Sequence, residues 1–400
     1  MNEIIIFTRQ KYLYFPKKIT ILFSMRTINE KYNELNTPPE VAERFDPSEV
    51  LFFDIETTGL NKASTTLYLI GCGYYADNIL CTRFFFGENE TEEKEVLSAF
   101  FEFARNFNIL IHFNGTKFDL PYLDYKAAKY CLDNPLKLLK SFDIYGAIKP
   151  LRYVLFRESM RQKCVEDFLG ISRMDTYNGG ELIPIYLDYS ACADEKLFEL
   201  LLLHNREDIL GMHKMFPILN YLKLKDCTLC YTGSRIMPYV DIADEKRKEM
   251  LLEYTCDIKL PKSFSVKNND IYFKFNSESN TLLIRLPIFS GRMKHYFENY
   301  NDYYYLPLEN TCIHKSIAMS VDRAHKKKAT KDTCYIIVEG DFLPQESIVF
   351  KETAGFDYKT RNAYFKIPDA IDNVRFSEYG KMLVDSMLKA KPRKKTKQEK

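Results

Sequence analysis

Hydrophobic and polar positions follow two rhythms along this chain. VLFFDIE (50–56) is an apolar run that predicts a buried strand. TLYLIGCGYYA (66–76) and ILCTRFFF (79–86) predict a second and a third strand, with Asp77 and Asn78 as the turn between them. TEEKEVLSAFFEFARNF (91–107) switches to helical spacing, with acids in the first turn, where the helix dipole favours them. ILIHF (109–113) predicts a fourth strand, followed by the loop NGTKFDLPY and a helix toward Cys131. SFDIYG (141–146) suggests a short fifth strand, and residues 159–169, 180–187 and 195–215 read as helices. Hairpin strands followed by alternating helix and strand predict an α/β unit, a mixed five-stranded sheet with helices on its faces.

The flanking segments have a different texture. TPPEVAERFDPSEV (37–50) predicts a turn, a short helix and a second turn, while residues 1–24 suggest no element and Met25 stands as an alternative start of translation. Beyond Leu219, DIYFKFN (270–276) and TLLIRLPIF (281–289) predict a hairpin around Ser-Glu-Ser-Asn. HKSIAMSVDRAHKKKA (314–329) reads as a helix, and CYIIVEG (334–340) and SIVFKE (347–352) as strands. The expected organisation is therefore an N-terminal extension (1–47), the α/β domain (48–220), a smaller α+β domain (221–385) and a disordered basic tail (386–400).

Composition narrows the class. With 46% hydrophobic and 28% charged residues among 400, the chain has the balance of a soluble globular protein. No apolar run approaches the ~20 residues needed to span a bilayer, and MNEIIIFTRQ, which opens with an acid, predicts no secretion signal. The ten cysteines are scattered, with only Cys227 and Cys230 forming a CxxC, which predicts reduced thiols and a cytoplasmic location without membrane partners. The formal net charge of +2 is uneven: residues 51–220 carry 18 basic and 24 acidic residues, residues 221–400 carry 32 and 24. Much of that basic excess lies in the C-terminal tail, which would either attract nucleic acid or simply aid solubility.

The α/β domain nevertheless puts two carboxylates, Asp54 and Glu56, inside an apolar strand. Residues two apart on a strand share a face, so the two acids repel each other unless a cation lies between them. Two further segments carry acids at element ends: Asn114 and Asp119 in NGTKFDLPYL, and His204 and Asp208 in LLLLHNREDIL, one helical turn apart and so on one face. Without a cation, each acid would require its own Lys or Arg. Four oxygen-rich side chains suit a pair of Mg²⁺ or Mn²⁺ ions, the equipment for phosphodiester cleavage, and a histidine nearby can take a proton from water. Asp119 also suits a helix N-cap, and Asp143 reads as structural.

FDIETTGL, NGTKFD and HNREDIL, in that order and spacing, resemble the three-motif signature of the DEDD 3′–5′ exonucleases, whose fold is ribonuclease-H-like. The chain is most similar to the bacterial YprB-type ribonuclease-H-like proteins, over roughly residues 48–220. The resemblance implies that Asp54, Glu56, Asp119 and Asp208 hold two metal ions and that His204 is the general base. It also implies that Thr57, Thr58, Gly59 and Leu60 line a pocket for the terminal nucleotide, with Asn114 and Phe118 helping to place the strand. Histidine-type members usually set the base five residues before the last Asp; here the gap is four, the spacing of the tyrosine-type members. The expected activity is a metal-dependent 3′–5′ exonuclease acting on the 3′ end of DNA or RNA. A non-catalytic single-strand-binding module and a structure-specific endonuclease are the alternatives, and a helicase or repair protein is left open as a partner.

Overall fold

The computed structural model describes residues 4–7, 25–156, 159–240 and 245–389. The chain divides into two compact units, one running to Arg152 and including Phe156–Leu219, the other made of Tyr153–Leu155 and the residues from Asn220 onward. Among the described residues, no helix is long and apolar enough to cross a membrane.

The first unit is built on a mixed sheet of seven strands: β1 (Ile4–Phe7), β2 (Arg26–Asn36), β3 (Val50–Thr57), β4 (Leu67–Ala76), β5 (Ile79–Phe86), β6 (Ile109–His112) and β7 (Lys140–Asp143). Their order is β1-β2-β5-β4-β3-β6-β7. β3 pairs antiparallel with β4 and parallel with β6, which itself runs parallel to β7. The five expected strands are present, but the fifth ends at Asp143, which caps the helix that begins at Ile144 in place of the expected strand residues 144–146. Two more extend the sheet through β2, which lies in the segment expected as an N-terminal extension and pairs antiparallel with β5. β2 reads RTINEKYNELN and is mostly polar, so it carried little strand signal.

The helices up to Met215 are α1 (Pro39–Ala42), α2 (Glu93–Ala104), α3 (Asp119–Lys129), α4 (Ile144–Ile148), α5 (Arg152–Leu155), α6 (Gln162–Leu169), α7 (Gly179–Cys192) and α8 (Glu195–Met215), all in the first unit except α5, whose Tyr153–Leu155 belong to the second. Asn178 and Glu181 form a capping box that starts α7, and Asp194 accepts the Lys196 N–H to start α8. One face of β3 (Leu51, Phe53, Ile55) joins Val96, Leu97 and Phe100 of α2 and Tyr122 and Leu123 of α3 in the main core. The other face meets α8. At Gly71 of β4, a Cβ would sit 1.9 Å from Asn205 Oδ1, so glycine is what lets α8 approach the sheet so closely.

The second unit is sheet-rich. β8 (Leu229–Val240), β9 (Lys246–Cys256), β10 (Phe264–Asn268), β11 (Ile271–Asn276), β12 (Thr281–Tyr296), β16 (Tyr335–Pro344), β17 (Thr353–Ala354) and β18 (Tyr364–Lys366) form one eight-stranded sheet. The expected hairpin is the β11–β12 pair. β13 (Tyr303–Leu306), β14 (Thr311–His314) and β15 (Lys327–Lys328) form a smaller sheet.

Residues 314–329 are not one helix. His314 caps α9 (Lys315–Ala318), and Asp322 caps a separate turn at Arg323–His325. Lys327 and Lys328 then pair with Tyr305 and Tyr304. Residues 347–352 form no strand either, because Gln345 Oε1 takes the N–H groups of Val349 and Phe350, both at 3.2 Å, that a ladder would need. α10 (Asn373–Lys389) takes in the start of the expected basic tail; residues 390–400 lie outside the described residues.

Candidate metal centre

Alternation along β3 puts Phe52, Asp54 and Glu56 on the face toward α8. Phe52 packs edge-on against Tyr75 and Phe216, with ring centres 5.9 and 6.0 Å away. The two acids come next along that face, where the apolar packing gives way to α8's polar residues. Asn205 Nδ2 donates to Asp54 Oδ2 at 2.8 Å. One residue earlier and three later on α8, His204 and Asp208 meet Glu56. His204 Nε2 lies 3.5 Å from Glu56 Oε1 and 3.3 Å from Asp208 Oδ2. Ligand-capable atoms of Glu56, His204 and Asp208 fall within 4.8 Å of one another.

Asp119 opens α3, and the loop before it is braced from both sides. His112, buried, accepts the Gly115 N–H at 3.0 Å and contacts Ser141 Oγ at 2.8 Å. Asp143 Oδ1 accepts the Asn114 N–H at 2.8 Å and the Gly146 N–H at 3.3 Å, a structural task.

Electrostatics make the cluster one unit. Burial, then the charges of Asp208, Glu56 and Asp119, hold the Asp54 carboxyl well above the usual carboxylate range. Glu56 is raised in the same way by burial and by Asp208, Asp119 and Asp175. Asp119 is pushed up to about 7, chiefly by burial, although hydrogen bonds from its own and the Ile55 backbone N–H oppose this.

Two residues on the loop between α6 and α7 complete the site, and nothing in the local sequence ISRMDTYNGG distinguished them from ordinary turn residues. Arg173 Nη2 donates to Asp208 Oδ1 at 2.7 Å and to Glu166 Oε1 at 2.6 Å, and Arg173 Nε pairs with Glu166 Oε2. Glu166 is buried, and Gly211 of α8 makes room for it, since a Cβ there would lie 2.0 Å from Glu166 Oε1. Asp175 Oδ2 lies 2.7 Å from His204 Nδ1 and 3.1 Å from Lys163 Nζ. Burial alone would raise the Asp175 carboxyl, but His204, Lys163 and the Tyr177 N–H hold it below the usual range.

The other expected site residues are placed as follows. Thr57 Oγ1 donates to the Gly59 carbonyl at 2.9 Å, and Thr58 Oγ1 accepts the Thr66 N–H at 2.8 Å. Gly59 has φ 153°. Tyr122 of α3 reaches Thr65 Oγ1 at 3.0 Å, and Lys126 Nζ donates to the Thr65 carbonyl, so the turn is tied to the helix that Asp119 begins. Leu60 is 84% exposed. Asn114 is half-buried in the loop, and Phe118 leans on the core beside Tyr122, 5.5 Å between ring centres.

Residues 51–220 match the family model of the ribonuclease H superfamily. Those residues form a ribonuclease H-like domain. No curated protein matches the chain. Among solved structures, the chain is similar to the family B DNA polymerase of the archaeon Pyrobaculum calidifontis, at 16% identity and TM-score 0.37, over 45% of this chain and 26% of the polymerase. It is similar to a zinc-bound exonuclease I–single-stranded DNA complex from E. coli, at 13% and 0.26, over 52% of this chain and 54% of that one. Exonuclease I of Methylocaldum szegediense shows 11% and 0.27, over 72% and 64%. The chain thus spans about a quarter of the polymerase (26%) and about half (54%) of the E. coli exonuclease.

The donor set of the ribonuclease H-like domain fits a divalent cation. Lys163 is matched by Asp175, and Arg173 chiefly by Glu166. Among the described residues, Asp54, Glu56, Asp119 and Asp208 are left with a share of one guanidinium, at Asp208. A deficit of positive charge among buried and half-buried oxygen donors is what a metal ion relieves.

Proposed function

We propose that the ribonuclease H-like domain is a divalent-metal-dependent nuclease that trims nucleotides from the 3′ end of a nucleic acid. The observation that carries this reading is the convergence of Asp54, Glu56, Asp119 and Asp208: burial and the charge of Asp208 help hold the first three carboxyls above their usual range. These four would hold Mg²⁺ or Mn²⁺. When bound, a pair of such ions would activate water and relieve charge on both the attacking and leaving oxygens.

The protein's own part is positioning. Asn205 orients Asp54, and Arg173 fixes one oxygen of Asp208 while leaving the other facing His204. The braced turn Thr57–Leu60 offers an exposed leucine beside the acids, a surface for a terminal base. Asn114 and Phe118 shape the loop that presents Asp119, next to the strand's path. His204, expected as a general base, turns Nε2 into the carboxylates, where the same lone pair can take a proton or a metal ion. The 3′–5′ polarity rests on the motif resemblance.

The test is a nuclease assay with 5′-labelled single- and double-stranded DNA and RNA, with Mg²⁺, Mn²⁺ or EDTA. Stepwise shortening with either metal, lost in EDTA and in Asp54→Ala, is expected, and closed circles should stay intact. Full activity in Asp54→Ala would remove the assignment. Tight binding without product would favour the single-strand-binding module, and cut circles the endonuclease.

A further inference from the structure

A neutral imidazole has one N–H and one lone pair, and its neighbours decide which nitrogen carries which. At His204, Nδ1 faces Asp175 Oδ2 at 2.7 Å. Asp175 is itself fixed. Its Oδ2 accepts from Lys163 Nζ at 3.1 Å and its Oδ1 from the Tyr177 N–H at 3.0 Å. Its backbone N–H donates to Glu207 Oε2 at 2.8 Å, and the Met174 N–H to Glu207 Oε1 at 2.9 Å. Glu207 precedes Asp208 on α8, so the helix that carries His204 also anchors the loop that orients it.

A carboxylate acceptor at Nδ1 keeps the hydrogen there and leaves the lone pair on Nε2. That lone pair faces Glu56 Oε1 at 3.5 Å and Asp208 Oδ2 at 3.3 Å. Three acceptors turned toward one another repel unless a proton or a metal ion sits among them. His204 and Glu56 are both more than nine-tenths buried, so water screens this repulsion poorly. An imidazole with one nitrogen on a carboxylate and the other among metal-binding oxygens is the arrangement in which protein histidines bind metal.

We propose that His204 Nε2 is a metal ligand, sharing an ion with Glu56 and Asp208, and that Asp175 is its positioning residue. A nitrogen in the donor set shifts preference from Mg²⁺, which takes oxygen ligands, toward first-row transition ions in the order Mn²⁺, Co²⁺, Zn²⁺. The proposal rests on the metal-dependent reading of this site, but not on what reaction follows.

The test uses the full chain with Mn²⁺ as the probe, observed by pulsed electron paramagnetic resonance, with binding constants for Mn²⁺ and Mg²⁺ measured alongside. Bound Mn²⁺ should show coupling to an imidazole ¹⁴N, and His204→Gln should abolish it. Asp175→Asn should weaken Mn²⁺ binding by about 10–100-fold, with partial recovery in Asp175→Glu. Mg²⁺ affinity should change far less in each variant. Mn²⁺ bound without nitrogen coupling, or equally tight Mn²⁺ binding by His204→Gln, overturns the proposal. The wild-type spectrum decides even where a variant fails to fold. Nitrogen coupling in a preparation that cleaves no nucleic acid removes the nuclease reading and leaves His204 a ligand. Cleavage without coupling does the reverse, and absence of any bound Mn²⁺ overturns both.

Discussion

Arg173 Nη2 lies 2.7 Å from Asp208 Oδ1, and the same guanidinium is paired with the buried Glu166. A loop residue thus holds the last acid of the site in place from the side away from His204, whose Nε2 faces Asp208 Oδ2.

Arg173→Met leaves Glu166 buried without its cation. Breaking such a pair costs about 3–5 kcal/mol, so the melting temperature should drop sharply. Adding Glu166→Gln should restore most of the loss, because the uncompensated charge is then gone. Thermal denaturation of the single and double variants checks this, and a double variant no more stable than the single one would contradict it.

Asp54→Asn removes one charge from a crowded carboxylate cluster while keeping an acceptor for Asn205. In EDTA the variant should be more stable than the parent, on the order of 1 kcal/mol or about 2–4 °C. Its metal affinity should fall at the same time. A lower melting point in EDTA would show that the four acids do not repel as argued.

Gly71→Ala drives a Cβ into Asn205 Oδ1 and pushes α8 away from β3. Overpacking of this kind costs about 1–3 kcal/mol. Because His204, Asn205 and Asp208 ride on α8, Mn²⁺ affinity measured by calorimetry should fall even where the protein stays folded. Unchanged affinity would mean that the site tolerates movement of the helix.

His213 is buried against Tyr75, with its Nδ1 3.0 Å from the hydroxyl. Burial lowers its imidazole from 6.5 to about 4. Above pH 6.5 neither the folded nor the unfolded form is protonated there. Between 6.5 and about 4 only the unfolded chain takes up the proton, so stability falls with pH through that window, by about 3 kcal/mol from this group. His213→Gln should flatten this part of the stability–pH curve, as denaturant titrations at pH 7, 5.5 and 4.5 would reveal.

The strands from Val50 to Phe86 and the helix Glu195–Met215 were legible because long apolar runs and helical spacing are local signals. β2 was not, since a strand mostly polar in sequence owes its place to pairing with its neighbours β1 and β5. Residues 314–329 misled for the opposite reason: they carry helical spacing, but His314 and Asp322 cap two separate turns and the lysines pair with β13.

The sequence by itself determined the chemistry of the candidate donors: Asp54 and Glu56 on one strand face, Asp119 at a helix start, His204 and Asp208 one turn apart. Spacing along a single element suffices for each of these. Only the tertiary structure decided what orients them. Asp175 and Arg173 lie 29 and 35 residues from His204 and Asp208 and sit in a segment without periodicity, so their roles depend on where a loop docks against α8. The direction of the His204 lone pair follows from that docking.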